Sequence, residues 1–294
     1  MQAAQAGEVV LSDVHLYKTV DTDGVVITRF QFKVLAEDNT KFNDDLKYDQ
    51  DGDIVVSRSD DARDVITIRH EMCTVLESVG LQVWRGALLM CDYVNANTES
   101  FAGKEVLELG CGTGLTSIFV AQFAKTVYAT DHGENILALC QENVDRNVSL
   151  ISANMHVVDL NWFECLPDDR VNPNILLACD CIYDNDMTDA LFRTIHCFIQ
   201  RAKTQAVSSK SARGHPLLVT YIPLEKRLNF TTEDMDVTCK EYDHFKICLN
   251  ELVDGTDTHV KCVVKQVFLN EIPACFDYDR SEQLELWIVE TYVL

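Results

Sequence analysis

Basic residues are scarce in this chain: 25 Lys and Arg face 47 Asp and Glu, a formal net charge of −22. Nucleic-acid binding depends on Lys and Arg neutralising phosphates, so a surface of this sign argues against direct binding to DNA or RNA. It favours basic partners and speeds their encounter, although acidity that serves solubility alone gives the same number. Long apolar runs are also missing. None reaches the roughly 18 residues that a membrane span needs. The N-terminal Met-Gln-Ala-Ala-Gln-Ala-Gly-Glu lacks a basic segment followed by an apolar core, so no signal peptide is expected. The cytosol or nucleus is the expected compartment. Metal-type cysteine pairs are absent too. The twelve cysteines are scattered, Cys179-x-Cys181 is the nearest approach to a C-x-x-C pair, and none of the eight histidines belongs to a spaced cluster. No metal is expected, and buried free thiols in a reducing compartment are the expected state.

What is present is a globular composition, 47% hydrophobic and 24% charged, and one informative motif. Residues 106–114 read Val-Leu-Glu-Leu-Gly-Cys-Gly-Thr-Gly: an apolar strand running into Gly110, Gly112 and Gly114. An amphipathic helix pattern follows through Leu115, Ile118, Phe119, Ala121 and Phe123. Glycines turn with positive φ and let a ligand lie against bare main chain. Amides at a helix start face such a ligand. A dinucleotide site needs G-x-G-x-x-G or A, and here the third small position is Leu115. G-x-G-x-G without a phosphate-binding lysine suits a nucleoside carrying an amino acid, S-adenosylmethionine. A Gly-rich turn without a ligand is the plainer alternative.

The rest of the chain reads as strands and helices in alternation. Two β-like runs, Val9–Tyr17 and Val25–Leu35, come first. Segment 37–64 holds ten Asp and Glu against four Lys and Arg, the composition of a loop or mobile linker. Val65–Met72 alternates as a strand, and a helix is expected over Leu81–Asn95 with Trp84 on its apolar stripe. Strands are then expected at Glu105–Leu109, Thr126–Asp131, Asn154–Asp159, Ile175–Asp180 and Leu217–Ile222, with helices at about 114–124, 134–148, 186–204 and 233–253. Val260–Phe268 and Leu284–Val293 close the chain. Near-continuous apolar strands such as Ile175–Cys179 belong in a parallel sheet covered on both faces. Lys226 and Arg227 fall on the loop after the fifth of these strands.

In open α/β sheets the ligand sits beyond the carboxyl ends of the strands. The first strand ends in the glycine loop, with Glu108 beside it. The second ends at Asp131, 21 residues after Gly110, where an acid accepts hydrogen bonds from ribose hydroxyls. The third ends Asp159-Leu-Asn-Trp162, an acid or amide for an adenine amino group and an indole to line the base. The fourth ends Asp180-Cys-Ile-Tyr183-Asp184-Asn-Asp186, which puts carboxylates and a phenol where a transferred methyl group points. A strand-end Asp is also a common helix N-cap. Trp84 reads either as core or as pocket wall, and His132 either as a ribose neighbour or as a solvated loop residue.

With those residues in place, segment 65–294 resembles the seven-β-strand S-adenosylmethionine-dependent protein methyltransferases of the lysine-modifying group. The motifs that carry it are Val83-Trp84-Arg-Gly86, Leu107-Glu-Leu-Gly-x-Gly-Thr-Gly114, Asp159-Leu-Asn-Trp162 and Asp180-x-x-Tyr183. DNA and glutamine-amide enzymes of related fold carry Asn-Pro-Pro-Tyr at the last of these; this chain does not. The resemblance implies an α/β fold: a seven-stranded Rossmann-like methyltransferase sheet with helices on both faces, plus an N-terminal β extension. It divides the chain into that extension, 1–72 with the acidic loop 37–64, and a methyltransferase domain, 73–294. It implies Asp180 and Tyr183 as catalytic residues. Trp84, Glu108, Gly110, Gly112, Gly114, Asp131, Asp159, Trp162 and Asp180 become the cofactor site for S-adenosyl-L-methionine. Val10–Tyr17, Glu225–Phe230, Val237–Cys239, Tyr242–Phe245 and Gln283–Trp287 resemble one branch of the group. That branch implies a basic protein substrate, a Kin-like zinc-finger protein, and the nucleus as compartment. A small-molecule methyltransferase and a cofactor-binding scaffold without catalysis are the competing functions.

Overall fold

A computed structural model describes residues 9–12, 14, 19–20, 25–33, 64–164, 171–209, 214–231, 236–255 and 260–294. The acidic segment up to residue 63, and residues 210–213, lie outside the described residues. Strands β1 (Val9–Leu11), β2 (Thr19–Val20), β3 (Val25–Phe32), β4 (Asp64–Glu71) and β5 (Cys73–Val75) come first, followed by a 3-10 segment, Leu76–Leu81. Helices α1 (Arg85–Ala96) and α2 (Thr98–Phe101) lead into β6 (Glu105–Leu109), α3 (Leu115–Val120), β7 (Thr126–Asp131), α4 (Glu134–Arg146) and β8 (Asn154–Asp159). Then come β9 (Ile175–Leu177), α5 (Asn185–Ser209), β10 (Leu218–Glu225), β11 (Asn229–Thr231), β12 (Asp236–Thr238), α6 (Lys240–Asp254), β13 (Val260–Val267) and β14 (Leu284–Val293). Among the described residues, no helix is long and apolar enough to cross a membrane.

Seven strands form the central sheet in the order β13-β14-β10-β9-β6-β7-β8. Strands β8, β7, β6, β9 and β10 pair in parallel, and β14 runs antiparallel between β10 and β13. The order grows from β6 through β7 to β8 on one side and from β9 to β10 on the other. The direction of growth reverses between β6 and β9, and a ligand crevice opens at such a switch point. The sheet is apolar on both faces because successive side chains alternate sides. Val106, Ile175 and Leu177 face the core shared with α1 and α3. Leu107, Leu109 and Leu176 face the core shared with α5 and α6.

The N-terminal strands form a second small sheet, β2-β3-β4, that packs onto the first of these cores. Phe30, Phe32, Ile66 and Ile68 join the cluster that holds Leu88 and Phe119. The Phe32 ring lies 4.9 Å from that of Phe119 and 5.4 Å from that of Phe276. The free edge of β4 is covered by two asparagines of the α4 region. Asn143 and Asn147 each accept from and donate to the backbone of Arg69 and Thr67, at 2.7–2.9 Å. Their amides satisfy an edge that would otherwise expose unpaired main-chain groups.

Expected and observed bounds differ in several elements, α1, α6 and β9 among them. The helix expected from Leu81 starts only at Arg85. Gln82 is buried and donates to the Val10 carbonyl (2.9 Å) and Thr74 Oγ1 (2.7 Å), holding residues 82–84 extended. Trp84 therefore precedes the helix, with φ −119° and ψ 152°. The helix expected at 233 starts at Lys240, because the β-branched Thr231, Val237 and Thr238 stand in the β11-β12 hairpin. Strand β9 stops at Leu177, not at Asp180, which turns away with φ +55°.

Candidate active site

A cavity of about 460 Å³ opens at the β6-β9 switch point, beyond the carboxyl ends of the strands. Its floor is the glycine loop. Gly110, Gly112 and Gly114 have φ of +73°, +50° and +82°, a region that side chains with a Cβ enter only with strain. A Cβ on Gly112 would meet the Gly80 carbonyl oxygen at 2.9 Å, and one on Gly110 would meet Cys181 Sγ at 2.8 Å. The loop is thus closed from behind by the 3-10 segment and shaped by two constraints, backbone conformation and space.

Asp131 fastens that loop. Its Oδ2 accepts from the Gly112 amide at 2.8 Å and its Oδ1 from the His132 amide at 2.7 Å. Each oxygen retains a lone pair for a ligand. Burial raises its carboxyl pKa, and the two amides pull it back down. Glu108 lies beneath the loop, 1% exposed, and accepts from Ser117 Oγ. Burial pushes its carboxyl up to about 7, against the Ser117 hydrogen bond. Trp162 passes over Gly110: a Cβ there would stand 3.3 Å from the indole ring. The indole N–H of Trp162 is buried and has no hydrogen-bond partner among the described residues. A native interior rarely leaves such a donor unmatched, and the residue that carries it lines the cavity.

Asp159 lies elsewhere. It is exposed and accepts from, or pairs with, His132 Nδ1 at 2.9 Å, and the cavity wall there is Leu160, Asn161 and Trp162 instead. The strand order explains this. Asp159 is in register with Asp131 but on β8, the edge strand one position further out, so His132, beside Asp131, stands between it and the cavity.

The far wall is built by Asp180, Tyr183 and Trp84. Asp180 adopts left-handed backbone, and its carboxylate is a clamp: Oδ2 accepts from the Gly86 amide at 2.6 Å and Oδ1 from the Glu225 amide at 2.9 Å. It ties the end of β9 to the start of α1 and the end of β10. Burial raises its pKa, while the Arg227 charge and the two amides lower it. A Cβ on Gly86 would meet Asp180 Oδ2 at 2.8 Å, so the Trp-x-Gly spacing exists to admit this carboxylate. Burial lifts the Tyr183 phenol above its ordinary pKa; it stays protonated and offers an O–H. Trp84 donates its indole N–H to the Val79 carbonyl at 3.0 Å and holds its ring under the Arg227 guanidinium, 4.5 Å away. Asp184 caps α5, accepting from the Met187 amide at 2.9 Å. The N-cap alternative thus applies to Asp184, three residues before that amide. Sequence reasoning placed Arg227 on the right loop without assigning it to the site, and it missed Gly86 and the 3-10 segment. The Gly86 signal was available in the Trp84-Arg-Gly86 motif.

A parallel sheet reversing at a glycine-floored cavity, with one antiparallel strand near its edge, defines a Rossmann-like methyltransferase fold. Residues 61–216 match the lysine methyltransferase family, and the chain belongs to that family. It is 39% identical over 243 residues to human methyltransferase-like protein 22, covering 76% of this chain and 57% of that protein. The mouse protein of that name gives 39% over 242 residues, 76% of this chain and 58% of that one. EEF1A lysine methyltransferase 3 of Xenopus tropicalis is 32% identical over 140 residues, 47% of this chain and 60% of that one. The chain therefore spans less than two thirds of the length of these relatives.

Proposed function

We propose that this chain is an S-adenosylmethionine-dependent protein-lysine N-methyltransferase acting on a basic protein. One observation carries the reading. A single cavity joins a glycine-floored half, overlaid by the Trp162 ring, to a polar-aromatic half made by Asp180, Tyr183 and Trp84. The first half suits a nucleoside bearing an amino acid. The glycine loop, Glu108, Asp131 and Trp162 would hold it, and the cofactor supplies an electrophilic methyl group on a sulfonium. Asp159 contributes indirectly, by orienting His132 at the rim.

The second half suits an amine. A lysine ammonium in water has a pKa of about 10.4, so the neutral nucleophile costs about 4–5 kcal/mol at pH 7. Asp180, fixed by two amides, draws the incoming cation toward the wall. Tyr183, held protonated by burial, offers its hydroxyl to orient the amine. The Arg227 charge over Trp84 and the apolar walls disfavour a second cation in the slot and so favour the neutral amine. The proton leaves to water or a carboxylate at the mouth.

The net charge of −22 supports a basic partner. The resemblance of the chain to methyltransferase-like protein 22 supports a Kin-like zinc-finger protein as that partner and the nucleus as the compartment. Incubation with methyl-labelled cofactor and cell extract tests the reading. A labelled basic protein band is expected. Label in a small-molecule product, or none at all, refutes it.

A further inference from the structure

On the face of the sheet opposite the N-terminal strands, α5 and α6 bring three metal-ligating side chains to one point. His244 and Cys248 are four residues apart on α6 and so share one helical face; Asp189, on the second turn of α5, meets them. His244 Nε2 lies 2.7 Å from Asp189 Oδ1, Cys248 Sγ lies 3.4 Å from that same oxygen, and Sγ lies 3.5 Å from Nε2. The convergence on shared atoms sets this group apart from a nucleophilic triad. In a triad the imidazole joins thiol and carboxylate through different nitrogens, whereas here both approach Nε2.

We propose that Asp189, His244 and Cys248 form a zinc site that straps the start of α5 to α6. Bond lengths of about 2.3 Å to sulfur and about 2.0–2.2 Å to nitrogen and oxygen put tetrahedral ligands roughly 3.4–3.6 Å apart. The two distances from Cys248 already fall within about 0.2 Å of that spacing. Only the histidine–aspartate separation must open, as its hydrogen bond gives way to two metal bonds. A thiol beside an imidazole and a carboxylate selects a borderline-soft ion over magnesium or calcium, which take oxygen ligands. Asp189 and His244 are half-buried, so an ion can enter, while Cys248 is buried at the base. Arg193 and Glu251 are the neighbouring charges, the first acting on Asp189 and the second on Cys248. They are opposite in sign. Without metal, burial and the Asp189 charge push the Cys248 thiol up to about 11. Zinc binding therefore displaces one proton from Sγ to solvent as the Zn–S bond forms. Three protein ligands leave a fourth position for water.

The strap has a location that matters. Asp189 stands about a turn and a half beyond Asp184 and Tyr183, so the ion would fix the end of α5 next to the cavity wall. The test uses the full chain, stripped with chelator and titrated with zinc alone against a chromophoric chelator, then with cobalt(II). Because Cys73 and Cys197 are exposed thiols, wild type is compared with His244→Ala and Cys248→Ser, each checked for folding by circular dichroism. Expected are one zinc per chain tighter than about 10 μM, weakened at least ~10-fold in both variants. A thiolate-to-cobalt charge-transfer band is expected in wild type and His244→Ala but not in Cys248→Ser, and a zinc-dependent rise in Tm in wild type alone. Weaker wild-type binding, or equal binding in the variants, overturns the proposal. His244 is half-buried, so its variant tests the site even where the serine variant folds poorly.

Discussion

Substituting Gly112 by alanine tests the glycine loop most sharply, because two independent costs fall on one methyl group. At φ +50° an alanine meets the left-handed penalty, about 1–2 kcal/mol. Its Cβ would also stand 2.9 Å from the Gly80 carbonyl oxygen, a backbone atom that cannot rotate aside. The loop must therefore move, which lengthens the 2.8 Å hydrogen bond from the Gly112 amide to Asp131. Hydrogen bonds to a charged acceptor contribute about 1.5–3 kcal/mol. The free protein relaxes, and binding must restore the loop, so roughly 2–4 kcal/mol appears as lost affinity, a Kd about 30- to 700-fold higher. Isothermal titration with S-adenosylhomocysteine measures it. Gly103→Ala is the control: its φ is +68°, yet nothing stands within 4 Å of a Cβ there. That variant should lose about 1 kcal/mol of stability with unchanged Kd. Gly112→Ala within about twofold of wild type would refute the reasoning.

Three further outcomes follow from the same geometry. Glu108 binds its proton up to about pH 7 in the fold and to about 4.5 unfolded, so it favours folding below about 4.5. Its contribution falls as pH rises from there to about 7, by roughly 2–3 kcal/mol. Glu108→Gln should flatten that dependence, gaining Tm over wild type at pH 8 but not at pH 5 in parallel melting curves; parallel profiles would contradict the assignment. Asp180→Asn turns an amide group toward one of two backbone donors, so Tm should drop in line with about 1–3 kcal/mol and methyl transfer should fall with it. Wild-type turnover would remove Asp180 from the site. Trp162→Phe deletes an unmatched buried N–H and shrinks the ring that stands over Gly110, so apo stability should change by less than about 1 kcal/mol while cofactor Kd rises about tenfold as ring contact is lost, read by the same titration.

The sequence made some of this legible and concealed the rest for identifiable reasons. The placement of the glycine loop and Asp131 at the cavity was readable because it depends on local backbone and on strand ends, both visible as spacing. The sheet was readable because Val106 to Leu109 and Ile175 to Leu177 are apolar at every position but Glu108, as strands covered on both faces must be. Trp84 was misplaced onto a helix because apolar periodicity continued through residues that Gln82 holds extended by bonds to Val10 and Thr74. The clamp role of Asp180 was invisible because its donors, Gly86 and Glu225, come from distant segments. Asp159 was assigned to the cavity by its place at a strand end, but its strand is the sheet edge, one position beyond Asp131, and strand order is not written in local spacing. The Asp189-His244-Cys248 group was not visible as metal-ligand spacing because one of its three members lies 55 residues upstream, on another helix.

The central claim is that the cavity unites a methyl donor with a lysine amine. Acid hydrolysis of protein labelled by this chain and methyl-labelled cofactor, followed by amino-acid analysis, tests it most directly. The label is expected to elute as N-methylated lysine and to disappear with Gly112→Ala. Label recovered as methylated arginine, histidine or glutamine, or an unlabelled hydrolysate, would contradict it.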